Sequence, residues 1–111
     1  MTISFEDFSK VEIRIGTIIE VKNFLEALKP AYKIWVDFGC DIGIRKTSAQ
    51  ITVHYQPENL VGRQVAGVIN FSPKQIGNFM SEILLLGFPD SNGEVVLIGV
   101  DHSIPNGGRL F

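Results

Sequence analysis

Lys33-Ile34-Trp35-Val36-Asp37-Phe38-Gly39, continued after a short break by Ile44-Arg45-Lys46-Thr47-Ser48-Ala49-Gln50-Ile51, is the stretch whose reading decides the fold. Apolar and polar residues alternate in both halves, the period of two that marks a half-buried strand. Tyr32, Ile34, Val36 and Phe38 take the inward phase of the first half and leave Lys33, Trp35 and Asp37 outward. In the second half Thr47, Ala49 and Ile51 point inward, with Lys46, Ser48 and Gln50 outward. Strict alternation would bury Arg45, so a bulge near Arg45 and Lys46 is expected to bring both to the surface. Gly39-Cys40-Asp41-Ile42-Gly43 supplies the turn between the two strands. Cations interleaved with an aromatic on one sheet face suit a platform for nucleic acid or for peptide.

Upstream, Val11, Ile13, Ile15, Ile19 and Val21 alternate with Glu12, Arg14, Glu20 and Lys22, which gives a first strand. Gly16 falls in its middle, and a glycine there predicts a bulge or bend of the kind that turns the corner of a small barrel. Before it, Ser4 is placed as an N-cap for a helical turn carrying Phe5 and Phe8. Two phenylalanines on so short a segment need cover, from the domain itself or from a second subunit.

Downstream, Pro57 stands at a first helical position and Gly62 at a C-terminal stop, predicting a short helix. A fourth strand is expected over residues 64–71. A fifth is expected over residues 81–87, buried on both faces by the run Ile83-Leu84-Leu85-Leu86. Asp90-Ser91-Asn92-Gly93 reads as a turn into a sixth strand over residues 94–100. The tail from Asp101 ends in Leu110-Phe111, an apolar end expected to dock.

Composition agrees with one globular domain over residues 1–111: 45% hydrophobic and 20% charged residues in 111 positions. No apolar run approaches the roughly 18 residues of a membrane span, and the N-terminal residues lack a signal-peptide pattern, so a cytoplasmic protein without membrane insertion is expected. A single cysteine, Cys40, excludes an internal disulfide and a thiolate metal site. His54 and His102 form no metal spacing, and no nucleophile, phosphate-loop or paired-carboxylate motif is present. No enzyme, metal or cofactor is expected. The net charge of -2 argues against a general nucleic-acid coat. Between Ala27 and Ser81, however, six basic residues face three acidic ones, and the excess acid lies at the two ends. A local, selective basic patch is the consequence.

Three strands, a short helix and further strands make the order of an all-β, five-stranded Greek-key barrel, the OB-fold, with its helix between strands 3 and 4. Particular residues add a family resemblance. Val11-Glu12-Ile13-Arg14-Ile15-Gly16-Thr17-Ile18, Lys33, Asp37-Phe38-Gly39, Lys46-Thr47-Ser48-Ala49-Gln50-Ile51, Val68-Ile69-Asn70-Phe71 and Gly77-x-x-x-Ser81-Glu82-Ile83-Leu84 resemble the tRNA-binding domain family over essentially the whole chain. Ser48-Ala49, Asn70-Phe71-x-Pro73, Phe79-x-Ser81-Glu82 and Ile104-Pro105-Asn106-Gly107 look most like its export-related chaperone branch, CsaA. Many relatives outside that branch carry glycine and methionine in place of Glu82 and Leu84.

The resemblance implies a cytoplasmic homodimer of OB-fold subunits that binds unfolded or pre-secretory polypeptide and cooperates with the motor SecA. Residues 1–9 and 101–111 are then expected to be dimer-interface extensions. For a peptide site the candidates are Phe5, Phe8, Trp35, Phe71 and Phe79. The alternative is a structure-specific tRNA-binding protein that uses the barrel face, with Arg14, Lys33, Trp35, Arg45, Lys46, Ser48, Lys74 and Ser81 as its candidates.

Overall fold

The structure, a computed structural model, describes residues 1–111. It begins with helix α1 (Phe5–Ser9). Ser4 caps it as the sequence predicts: its hydroxyl accepts from the Asp7 N–H at 3.0 Å, and the Asp7 carboxylate accepts from the Ser4 N–H at 3.3 Å. This reciprocal pair satisfies donors that a one-turn helix otherwise leaves open.

Strand β1 (Ile13–Asn23) is the longest element and belongs to both halves of the barrel. Its residues 13–17 pair with β4 (Gln64–Val68), and its residues 17–23 pair with β2 (Tyr32–Asp37), all antiparallel. The bulge lies between Ile18 and Glu20, not at Gly16. Gly16 keeps regular register opposite Val65 and serves close approach instead. A Cβ there would stand 2.6 Å from Val36 Cγ1, 2.8 Å from Phe38 Cδ1 and 2.9 Å from the Asp37 carbonyl.

In β2, Tyr32, Ile34 and Val36 are buried while Lys33, Trp35 and Asp37 lie half-exposed on the other face. Strand β3 (Ile44–Ala49) pairs with β2 without interruption, Lys46 opposite Trp35 and Arg45 opposite Val36. The expected bulge at Arg45 is therefore absent. Arg45 keeps the inward phase, and its place one residue from the start of β3 leaves it half-exposed. Helix α2 (Pro57–Leu60) follows with Pro57 in its first turn and drives Leu60 fully into the core.

The chain next departs from the sequence reading. Strand β4 ends at Val68, and a tight hairpin follows: β5 (Lys74–Ile76) and β6 (Phe79–Ser81) around Gly77-Asn78. Gly77 adopts φ +60°, a left-handed conformation that glycine takes without a Cβ penalty. The expected long fifth strand shrinks to β7 (Leu84–Leu85), paired with β4, and Leu84 is 49% exposed and so not buried on both faces. The reason is that Ser81 and Glu82 are held elsewhere, against β3. A second hairpin, β8 (Gly87–Pro89) and β9 (Val95–Leu97), turns at Asp90 as expected. The Asp90 carboxylate takes the His54 imidazole at 2.6 Å and the N–H groups of Glu94 and Asn92, and these bonds hold its pKa below the usual carboxylate range.

The main sheet has the order β3-β2-β1-β4-β7 and curls into a nearly closed five-stranded antiparallel barrel, an OB-type fold with α2 between strands 3 and 4. Ten buried residues fill it, among them Ile18, Ile34, Val36, Phe38, Leu60 and Val65. The tail docks along the free side of β1: Gly107 N–H donates to the Ile15 carbonyl at 2.8 Å, Ile15 N–H to Gly108 at 3.0 Å and Leu110 N–H to Ile13 at 2.9 Å.

Candidate functional site

Pairing of β2 with β3 places Lys33 opposite Ser48 and Trp35 opposite Lys46 on the outer barrel face. Three of the expected nucleic-acid residues are thereby brought side by side with Trp35. The face is not bare, however. Phe79, from the β5–β6 hairpin, folds over it with its ring centroid 6.0 Å from Trp35 and 5.6 Å from Phe24, both in edge-to-face geometry. Phe24 and Phe79 are buried, and with Ala31 they form a second small core outside the barrel.

Lysines ring this cluster. The Lys33 ammonium lies 4.8 Å from the Phe24 ring and 5.3 Å from Phe79, Lys46 lies 5.2 Å from Phe79, and Lys22 lies 5.4 Å from Trp35. Each such contact contributes about 0.5–1 kcal/mol near the surface. Lys33 also faces Glu26 at 3.5 Å, and only 20% of its side chain is exposed. The platform expected from the sequence is thus assembled but covered. Phe79, expected at a peptide site, is a buried lid residue.

Beside this cluster lies a cleft of about 360 Å³. Ser48, Ser81, Lys74 and Phe71 all line it, so expected nucleic-acid and peptide residues share one wall. Its floor is the seam where the barrel nearly closes. Glu82 grips the Lys46 backbone twice, its N–H donating to the carbonyl at 2.8 Å and its carboxylate accepting from the N–H at 2.9 Å. The Thr47 hydroxyl meets Ser81 Oγ at 2.9 Å and donates to the Ile83 carbonyl at 2.8 Å.

Four candidates fall outside this group. Arg45 shares the opposite phase of β3 with Thr47. Arg14 lies eight residues along β1 from Lys22, roughly 26 Å at the usual rise of a strand. Its guanidinium is spent on Glu12, 2.7 Å away, and on the Gly107 carbonyl at 2.8 Å, an anchor for the tail. Phe5 and Phe8 line a separate groove of about 260 Å³ with Val11, Leu110 and Phe111. Residues the sequence reading missed are Phe24, Lys22, Glu26 and Glu82. The signal for the lid was present: two three-residue runs flanking Gly77-Asn78 have the form of a two-residue hairpin.

The model of the tRNA binding domain matches residues 13–109. The methionine-tRNA ligases of Flavobacterium johnsoniae and Pyrococcus furiosus are 33% and 36% identical over 97% of this chain. The chain spans 15% and 14% of those two relatives' length. Among solved structures, the chaperone CsaA of Bacillus anthracis is 41% identical with a TM-score of 0.93 over 100% of both chains. The CsaA chaperone protein of Picrophilus torridus is 45% identical with a TM-score of 0.91, over 99% of this chain and 100% of that one. Barrel, helix position and sequence agree: the chain belongs to the tRNA-binding domain family, in the branch that contains the CsaA structures.

Proposed function

We propose that the protein is a chaperone-like homodimer that binds unfolded or pre-secretory polypeptide. One observation carries the reading: apolar side chains stand exposed in groups while the aromatic face that would stack bases is covered. Phe71 is 58% exposed at the cleft, Leu25 and Leu28 are 86% and 105% exposed on the β1–β2 loop, and Phe5 and Phe111 are 78% and 103% exposed at the joined termini. Such groups mark interaction surfaces. The full-length likeness to CsaA structures supports the same reading. A cytoplasmic location and cooperation with SecA belong to the proposal.

The termini supply the dimer. The groove between α1 and the tail is apolar, and Arg109 ties the two segments together by donating to the Ser9 carbonyl at 2.7 Å. Light scattering is expected to give twice the 12.3 kDa subunit mass, and Phe5→Glu/Phe111→Glu to give the subunit alone. A monomeric parent protein sinks this part.

A second reading, tRNA binding, is favoured by Lys33, Lys46 and Lys74 near one cleft and by the family match. Salt separates the two. Three phosphate contacts lose roughly twenty- to forty-fold in affinity between 50 and 200 mM salt, whereas apolar burial does not weaken. A denatured client titrated beside tRNA is expected to hold its affinity over that range. Client binding that falls as steeply as tRNA binding overturns the chaperone reading.

A further inference from the structure

The β5–β6 hairpin is fixed at its two feet and loose between them. At one foot the Asn70 carboxamide accepts from the Glu12 N–H at 3.0 Å and donates to the Lys10 carbonyl at 2.7 Å. At the other the Glu82 N–H donates to the Lys46 carbonyl at 2.8 Å, and Ser81 Oγ meets Thr47 Oγ1 at 2.9 Å. From Phe71 to Met80 the chain makes no hydrogen bond and no ion pair to the barrel. Strands β5 and β6 pair only with each other, and the Gln75 carboxamide donates to the Gly77 carbonyl within the turn. Residues 71–80 are held down by side-chain contacts alone, chiefly Phe79 and Ile76 against Phe24, Ala31 and Trp35. A segment so attached opens well below the free energy of global unfolding.

Beneath Phe79 lies the Trp35 indole, and around the pair stand the ammonium groups of Lys22, Lys33 and Lys46. Lys46 has no carboxylate partner, and Lys33 has only Glu26 at 3.5 Å. Cations around an aromatic step are what a nucleic-acid strand requires, phosphates on the ammonium groups and a base on the indole. Only an unpaired base can lie there, because the faces of paired bases are already stacked in their helix.

We infer that the hairpin is an autoinhibitory lid: Phe79 plugs a stacking site for single-stranded nucleic acid, and lifting residues 71–80 exchanges its ring for an unpaired base on Trp35. The apparent affinity of the site is then reduced by the fraction of chains in which the lid is lifted. The inference goes beyond the polypeptide-binding reading, and it needs unpaired bases rather than the shape of tRNA.

The probe is an eight-nucleotide oligoadenylate, titrated against the full chain beside a fully paired RNA duplex and a neutral peptide rich in phenylalanine. Phe79→Ala is expected to bind the oligonucleotide about tenfold tighter than the parent, or more. Neither the duplex nor the peptide shares the gain, and Trp35→Ala or Lys33→Ala in the same chain removes it. A second measurement keeps Phe79 in place. With Cys40→Ser and Asn78→Cys the hairpin tip takes a single bimane label, which the nearby Trp35 quenches. Saturating oligonucleotide is expected to raise the label's emission about twofold as the lid leaves the indole. The lid is overturned if Phe79→Ala gains nothing for the oligonucleotide, if duplex or peptide gains as much, or if bound oligonucleotide leaves the label quenched. A parent chain that binds tRNA while Phe79→Ala gains nothing for the oligonucleotide sinks the lid and leaves the tRNA reading standing. If neither form binds the oligonucleotide, the stacking site itself is refuted, and the polypeptide reading is untouched.

Discussion

Phe38→Ala is expected to lower the unfolding free energy by about 3–5 kcal/mol, the range for emptying a fully buried aromatic site. Phe38 is 1% exposed. Its ring lies where β1 and β4 both carry glycine: a Cβ at Gly16 would stand 2.8 Å from Cδ1, and one at Gly67 would stand 3.5 Å from Cζ. Those two strands leave their side-chain volume to this ring and to the Val36 Cγ1 and Ile83 Cδ1 methyls beside it, which can fill only part of the void. Against a total of about 5–15 kcal/mol for an ordinary domain, the loss is large enough to leave part of the population unfolded at room temperature. Urea denaturation followed by circular dichroism measures it. A loss below about 1 kcal/mol means that the ring is not the centre of the barrel.

Phe79→Ala is the second large effect, and its form differs. Phe79 holds the β5–β6 hairpin to the barrel through a separate cluster with Phe24, Ala31 and Trp35. Its removal is expected to release the hairpin while the barrel core stays folded. Trp35 is the only tryptophan, so its fluorescence reports the event without labels. The emission is expected to move to longer wavelength, and acrylamide quenching to rise by about two-fold or more, with circular dichroism of the barrel retained. Truncation of this ring costs up to about 3 kcal/mol, mostly as local opening. Unchanged emission sinks the assignment of Phe79 as the lid.

Both effects bear on what the sequence made legible. The alternation over Tyr32 to Asp37 was readable because one strand face is buried and the other is not, a pattern that survives any tertiary detail. Ser4 with Asp7, and Pro57 within α2, were readable because capping and proline chemistry act within one turn. The lid was missed because three-residue strands show hardly one cycle of alternation. Glycine misled at Gly16, where the demand is for proximity between strands, while the bulge needed only one unpaired residue at Ile19. The seam had no periodic signature at all: Thr47, Ser81 and Glu82 meet across more than 30 residues through hydroxyl and carboxylate groups. For the site, Lys33, Trp35 and Lys46 were legible as one face. Their cover, Phe24 and Phe79, was not, because it arrives from two other segments.

The docking of the tail on β1 also sets a clock. The Ile15 amide finds its partner in Gly108, 93 residues further along the chain. At a synthesis rate of roughly 5–20 residues per second, that carbonyl is made about 5–19 s after Ile15 itself. For that interval the first strand of the nascent chain waits with one edge unsatisfied, in a protein whose proposed work is to shield such edges in others.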